Sequence, residues 1–166
     1  MSKKVLIIDA DLRRGRQHEI FNIENDETKG YSNLIRSVGQ HHSFFFSGLL
    51  SEIFSYIKGT SINNISLLPA GPTPPNPLEL LSSGSNRLII DQIKESFDIV
   101  LIDCPPALGL SDVLVMSKFT DVNIVTISNA KTKINQLEDV KKNFDRVNSK
   151  ISGIIVNKTK QKQNAH

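Results

Sequence analysis

Short apolar, β-branched runs punctuate the chain at intervals that leave room for a helix between neighbours. They fall at residues 5–8, 65–68, 99–102, 122–127 and 151–156. None of them alternates with polar residues, which suits strands buried on both faces of a parallel sheet. Between the last two runs, Ile134, Leu137, Val140, Phe144 and Val147 recur at steps of three and four, with charged residues opposite. That stripe predicts an amphipathic helix, and Thr132 stands where an N-cap would. Strand and helix alternation of this kind predicts an α/β fold, a mostly parallel sheet covered by helices on both faces. The expected organisation is one domain over residues 1–157 and a basic flexible tail over 158–166. There is no internal repeat.

One stretch resists the alternation. Residues 40–60 carry Phe44, Phe45, Phe46, Leu49, Leu50, Ile53, Phe54 and Ile57, with Glu52 and Lys58 as their charges. A helix that covers the core is one account. An exposed apolar face that docks a partner is the other, because patches of that kind mark interaction sites. Sequence leaves both open.

Composition narrows the class. The chain has 166 residues and 39% hydrophobic content, enough for one globular domain. No stretch approaches the roughly 20 apolar residues that span a bilayer, and the first residues lack a signal-peptide pattern. Cys104 is the single cysteine, so no internal disulfide can form, and a reducing cytoplasm is the expected setting. The net charge of +3 owes much to Lys158, Lys160 and Lys162, which have no acid among them. A solvated tail is the first account of these lysines, and binding of nucleic acid or anionic lipid is the second. No aromatic residue interleaves with them, so nucleic acid is not an expected partner. The four histidines and Cys104 show no metal-ligand spacing.

The seven prolines sit in two places. Pro69, Pro72, Pro74, Pro75 and Pro77 follow the second apolar run, and Pro105 and Pro106 follow the third. Open α/β sheets bind ligands at the carboxyl ends of their strands, which is where both loops belong. Proline holds φ near −65°, so these loops are stiff before a ligand arrives. Simple turn chemistry explains part of this. Asn76 is placed to cap a helix, Pro77 to occupy its first position, and Glu79 to complete a capping box.

Carboxylates gather at the same predicted edge. Asp9 and Asp11 follow the first run, and Asp103 ends the third. An acid at the end of a buried strand is costly unless paired or bound to a cation. Three at one edge would make a hard oxygen site suited to Mg²⁺, and an apolar run ending in Asp has the form of a Walker B element. Arg13, Arg14 and Arg16 follow at once. They could meet phosphate or acidic residues, or simply be solvated.

The segment Ile-Ile-Asp-Ala-Asp-Leu-Arg-Arg, residues 7–14, resembles the Walker A′ motif of the deviant P-loop ATPases that include ParA, MinD and the bacterial tyrosine kinases. The run Leu-Pro-Ala-Gly-Pro-Thr-Pro-Pro-Asn-Pro-Leu-Glu-Leu-Leu-Ser-Ser, residues 68–83, resembles a signature loop of the CpsD/CapB-type kinases that ParA proteins do not share. Ser111-Asp112 and Ser117-Lys118-Phe119-Thr120 fit the kinases as well.

The resemblance implies a P-loop NTPase-like fold and transfer of the γ-phosphoryl of ATP to tyrosine, with ATP and Mg²⁺ as cofactors. It implies that Asp9, Asp11 and Asp103 are the catalytic and metal-binding acids, one of the first two helping to deprotonate the acceptor tyrosine. Asn157, in Val-Asn-Lys, matches the family's adenine contact. Implied partners are a transmembrane chain-length regulator of capsule or exopolysaccharide export, further copies in a ring, and protein tyrosines. Such a chain would sit in the cytoplasm against the inner face of the plasma membrane.

The chain also departs from the family. It contains no Gly-Lys pair, so no Walker A loop, and the strand, loop and helix that carry it are expected to be absent. Gly15 stands where the family usually has proline. The wording from Asp103 to Leu110 is closer to ParA, and the only tyrosines are Tyr31 and Tyr56. In the family the absent strand lies beside the Walker B strand, so residues 99–102 are expected to be uncovered. The isolated chain is then expected to be unstable and inactive. Two other readings are a ParA/MinD-type partitioning ATPase and a catalytically dead interaction module that binds through residues 44–57.

Overall fold

The computed structural model describes residues 2–24, 26–40 and 46–159. Its elements run β1 (Val5–Asp9), α1 (Gln17–Ile20), α2 (Tyr31–Gln40), α3 (Phe46–Tyr56), β2 (Lys58–Gly59), β3 (Ile65–Leu68), α4 (Pro77–Leu81), α5 (Gly84–Ser96), β4 (Ile99–Asp103), α6 (Asp112–Met116), β5 (Ile124–Ser128), α7 (Ile134–Arg146) and β6 (Gly153–Asn157). All five apolar runs form strands. The short β2 was not expected, since two residues carry no periodic signal.

The strands form two sheets. One has the order β2-β3-β1-β4, the other pairs β5 with β6. β1 lies parallel to both β3 and β4, β5 is parallel to β6, and β2 is antiparallel to β3. Residues that pair across the four-stranded sheet share a face. On one face Leu6, Ile8 and Leu68 are fully buried, with Val100 and Ile102 packed against the same core. Tyr31, Leu34 and Ile35 of α2 and Ile89, Ile90 and Ile93 of α5 close over it. Cover on the opposite face thins towards β4. Leu67 is buried and Ile7 half-buried, but Leu101, next in the same row, is 53% exposed and Ile99 43%.

The resemblance led us to expect all of residues 99–102 uncovered; Ile99 and Leu101 are, but Val100 and Ile102 point to the other face and pack against the core. The next strand pair offers the same surface: Ile124, Ile154, Ile155 and Val156 are all about half exposed. A cavity of about 560 Å³ separates β4 from β5 and is lined by both. The two sheets therefore face each other across an apolar gap.

In α3, Leu49 and Ile53 are buried in the core, as the core-covering account of that segment requires. Phe54 remains half exposed and stacks on Phe97, ring centroids 6.0 Å apart. Phe44 and Phe45 lie outside the described residues, as do residues 160–166 of the expected tail.

Two capping assignments need correction. Asn76 makes no side-chain bond to the α4 backbone; its amide donates instead to Glu79 Oε2 at 2.9 Å. The acid that should have completed the box draws the cap residue to itself. Pro77 does occupy the first turn. Thr132 does not cap α7, whose N-cap is Lys133. Its hydroxyl accepts from the Ser128 N–H at 3.0 Å and closes the turn after β5.

Candidate active site

Parallel pairing of β1 with β4 sets Asp9 opposite Asp103 in the register, and the Ala10 N–H donates to the Asp103 carbonyl at 2.8 Å. Two acids thus end adjacent strands, the inner β1 and the edge strand β4, and Asp11 lies two residues beyond Asp9. The proline turns that follow β3 and β4 stand at the same edge. The structure sets Asp9 and Asp103 level at one edge of the sheet with Asp11 two residues further along, but it does not gather the three into the single cluster expected from the sequence.

Their environments differ. Asp9 is fully buried. Its Oδ2 accepts the Gln17 N–H at 3.0 Å, while its Oδ1 is buried without a hydrogen-bond partner. Burial pushes its carboxyl up to about 6; the bond from Gln17 opposes this, and the charges of Asp103 and Asp11 add to it. Asp11 is half-buried, and its Oδ1 accepts the N–H groups of Arg13 and Arg14 at 3.1 and 3.0 Å. Those two bonds fix the turn and leave Oδ2 free of them. Asp103 is exposed.

The arginines after Asp11 divide in role. Arg13 is bound to Asp112 at the start of α6, Nε to Oδ2 at 2.8 Å. Arg16 pairs at the surface with Glu19, 2.6 Å away. The Arg13 contact ties the loop after β1 to the loop after β4. Gly15 sits inside this loop because nothing larger fits. A Cβ there would lie 2.5 Å from Ala70 Cβ and 2.7 Å from Asp9 Oδ2.

Gln17 carries no motif signal, and sequence reading passed it over. Its side-chain amide donates to Asp103 Oδ2 at 2.6 Å while its backbone N–H holds Asp9. Asp112, although part of a segment that fits the kinases, had no role assigned until its contact with Arg13 was visible.

Cys104 follows Asp103, and burial pushes its thiol up to about 12, with the neighbouring acids adding to the effect. A thiol so raised is a poor nucleophile. Tyr31 is buried and bonded through its hydroxyl to Asn86, which removes it as a phosphoryl acceptor in this state. Asn157 ends β6, exposed, with its Oδ1 accepting the Lys158 N–H at 2.7 Å. Through the pairing of β6 with β5 it stands level with Ser128.

Among the described residues, no group of three or more His, Cys, Asp or Glu side chains is placed to hold a metal ion. The three acids share an edge without converging on one point. Mg²⁺ does not need them to: it is commonly held by one or two carboxylates, with water and phosphate oxygens completing its shell. A buried carboxylate oxygen without a donor, as at Asp9, fits the neighbourhood of a hydrated cation.

Residues 1–156 match the AAA domain family. The chain is 37% identical over 155 residues to the tyrosine-protein kinase ptk of Acinetobacter johnsonii, a match that covers 93% of this chain and 19% of that protein. The kinase domain of the Escherichia coli tyrosine kinase ETK superposes with a TM-score of 0.80 at 25% identity, covering 99% of this chain and 59% of that one. The chain therefore spans less than two thirds of either. The septum site-determining protein MinD of Pyrococcus horikoshii, a complex with Mg-ADP, has a TM-score of 0.62 at 18% identity and shares the fold alone. No described helix is long and apolar enough to cross a membrane. The chain belongs to the AAA domain family, and its kin there are bacterial tyrosine-protein kinases.

Proposed function

We propose that this chain forms most of the catalytic domain of a protein-tyrosine kinase that transfers the γ-phosphoryl of ATP to tyrosine. The observation that carries the reading is the pairing of Asp9 with Asp103 across adjacent parallel strands, with Asp11 beside them and a stiff proline turn on either side. Asp103, reachable from solvent, and Asp9, through the oxygen that lacks a protein partner, are the residues that would hold Mg²⁺. Bound there, Mg²⁺ would neutralise charge on the β- and γ-phosphates. Asp11 is fixed through Oδ1 and can accept the tyrosine hydroxyl proton at Oδ2. Asn157, at the end of β6, is the residue that would meet adenine.

A phosphate loop must complete such a site, and residues 1–166 contain no Gly-Lys pair to form one. The apolar gap between β4 and β5 fits the strand that would carry it, since both bordering strands present exposed Ile and Leu side chains. In this reading the phosphate loop comes from outside residues 1–166, as part of a longer protein, and residues 1–166 alone should not turn over ATP. The proposed setting is capsule or exopolysaccharide export, with the protein held at the inner membrane face by a transmembrane chain-length regulator and assembled with further copies of itself.

Phosphotyrosine analysis of the full-length protein incubated with ATP and Mg²⁺ tests the reading. Tyrosine phosphorylation that disappears in Asp103→Asn supports it. ATP hydrolysis coupled to DNA binding, with no phosphotyrosine formed, would instead support a partitioning ATPase.

A further inference from the structure

We propose that Gln17 is a positioning residue that sets the Asp9–Asp103 pair for divalent cation binding. The proposal rests on the reading of these acids as the Mg²⁺ site. One residue holds both carboxylates: the Gln17 N–H donates to Asp9 Oδ2 at 3.0 Å and its Nε2 to Asp103 Oδ2 at 2.6 Å. Like-charged groups at adjacent strand ends repel and would turn away from each other if unrestrained. The glutamine amide opposes this as a neutral donor, so it adds no positive charge that a cation would have to displace.

The bond to Asp103 takes one oxygen of that carboxylate and leaves Oδ1 outside it. Asp9 Oδ1 is buried with no partner at all. Gln17 thus leaves an oxygen of each acid free of its own bonds. Its place depends on Gly15: a Cβ there would lie 2.7 Å from Asp9 Oδ2, so the chain can fold down onto Asp9 only where the side chain is missing. Residues that orient metal-binding carboxylates by hydrogen bonds typically change metal affinity by about 10–100-fold when lost.

The experiment measures Mn²⁺ affinity of the full-length protein in the presence of ADP, by electron paramagnetic resonance. Gln17→Ala should weaken Mn²⁺ about tenfold or more. Gln17→Asn, one methylene too short to reach Asp103, should behave like Ala. Gln17→Glu places a third carboxylate at the site without the donor and should also weaken binding. The Ala and Asn variants keep the backbone N–H on Asp9 and add no charge, so their thermal midpoint should hold.

Asp103→Asn serves as the control and should abolish specific Mn²⁺ binding. Unchanged affinity in Gln17→Ala, with binding lost in Asp103→Asn, overturns the role of Gln17 and leaves the metal site standing. Unchanged affinity in both overturns the metal site as well. A loss of affinity that tracks an equal fall in the midpoint of the Ala and Asn variants makes Gln17 merely structural and overturns the proposal.

Discussion

Arg13 and Asp112, 99 residues apart, form an ion pair with Nε 2.8 Å from Oδ2 and Nη2 3.4 Å from Oδ1. The Asp112 side chain is only 3% exposed, and the guanidinium supplies the partner that a buried carboxyl group needs. Arg13 also donates its N–H to Asp11, so the pair steadies the turn that aims Asp11 relative to the loop after β4. Small misplacements of catalytic groups cost much in rate. Arg13→Ala in the full-length protein should lower kcat about 10–100-fold while the KM for ATP moves little. Steady-state kinetics check this, and an unchanged kcat would make the pair a surface feature only.

Asp9 should leave a mark on stability as a function of pH. Its carboxyl is raised to about 6 from an ordinary 3.8. The folded state then binds its proton more tightly than the unfolded chain does. The resulting stabilisation is fully present below about pH 3.8 and is lost as pH rises through about 6. A shift of that size corresponds to about 3 kcal/mol. Urea unfolding of the full-length protein without divalent cations, at steps from pH 4 to pH 8, should show this component. In Asp9→Asn it should vanish together with kinase activity. A variant that keeps the same slope would place the titrating group elsewhere.

Gly15 is the position least able to accept a side chain near the acids. Gly15→Ala puts a methyl group 2.5 Å from Ala70 Cβ, 2.7 Å from Asp9 Oδ2 and 2.9 Å from the Asp11 carbonyl. The loop must then shift, at a cost of about 1–3 kcal/mol in unfolding free energy. Chemical denaturation measures it. Equal stability for the two proteins would mean that the loop yields easily.

The uncovered edge of β4 predicts opposite effects in two settings. Residues 1–166 alone should aggregate, or melt below about 50 °C, because Ile99 and Leu101 are exposed. Leu101→Glu should reduce light scattering by that isolated chain. In the full-length protein, where a further strand is proposed to bury this edge, the same substitution should cost at least about 1.5–3 kcal/mol. If it proves harmless there, the edge is a solvent face and no strand lies against it.

The strands could be read from sequence because burial on both faces demands uninterrupted apolar residues, a local signal. Residues 65–68 appear as β3 without adjustment, and the other runs differ from their strands by one or two residues at the ends. The acids were legible for a related reason: an Asp that closes an apolar run needs a partner or an ion. The caps at Asn76 and Thr132 were misread because a short polar side chain has several donors and acceptors within reach. Which of them wins depends on the fold of the loop.

Taken alone, the sequence determined that β1 and β4 exist and that each ends in an acid. It could not determine that Asp9 and Asp103 stand opposite one another. That relation follows from a parallel register between segments 94 residues apart. Nor could it reveal Gln17, whose reach to Asp103 spans 86 residues, or the salt link from Arg13 to Asp112. Hydrophobic pattern is written residue by residue along the chain. Hydrogen bonds between distant side chains come into being only when packing brings their atoms within about 3 Å.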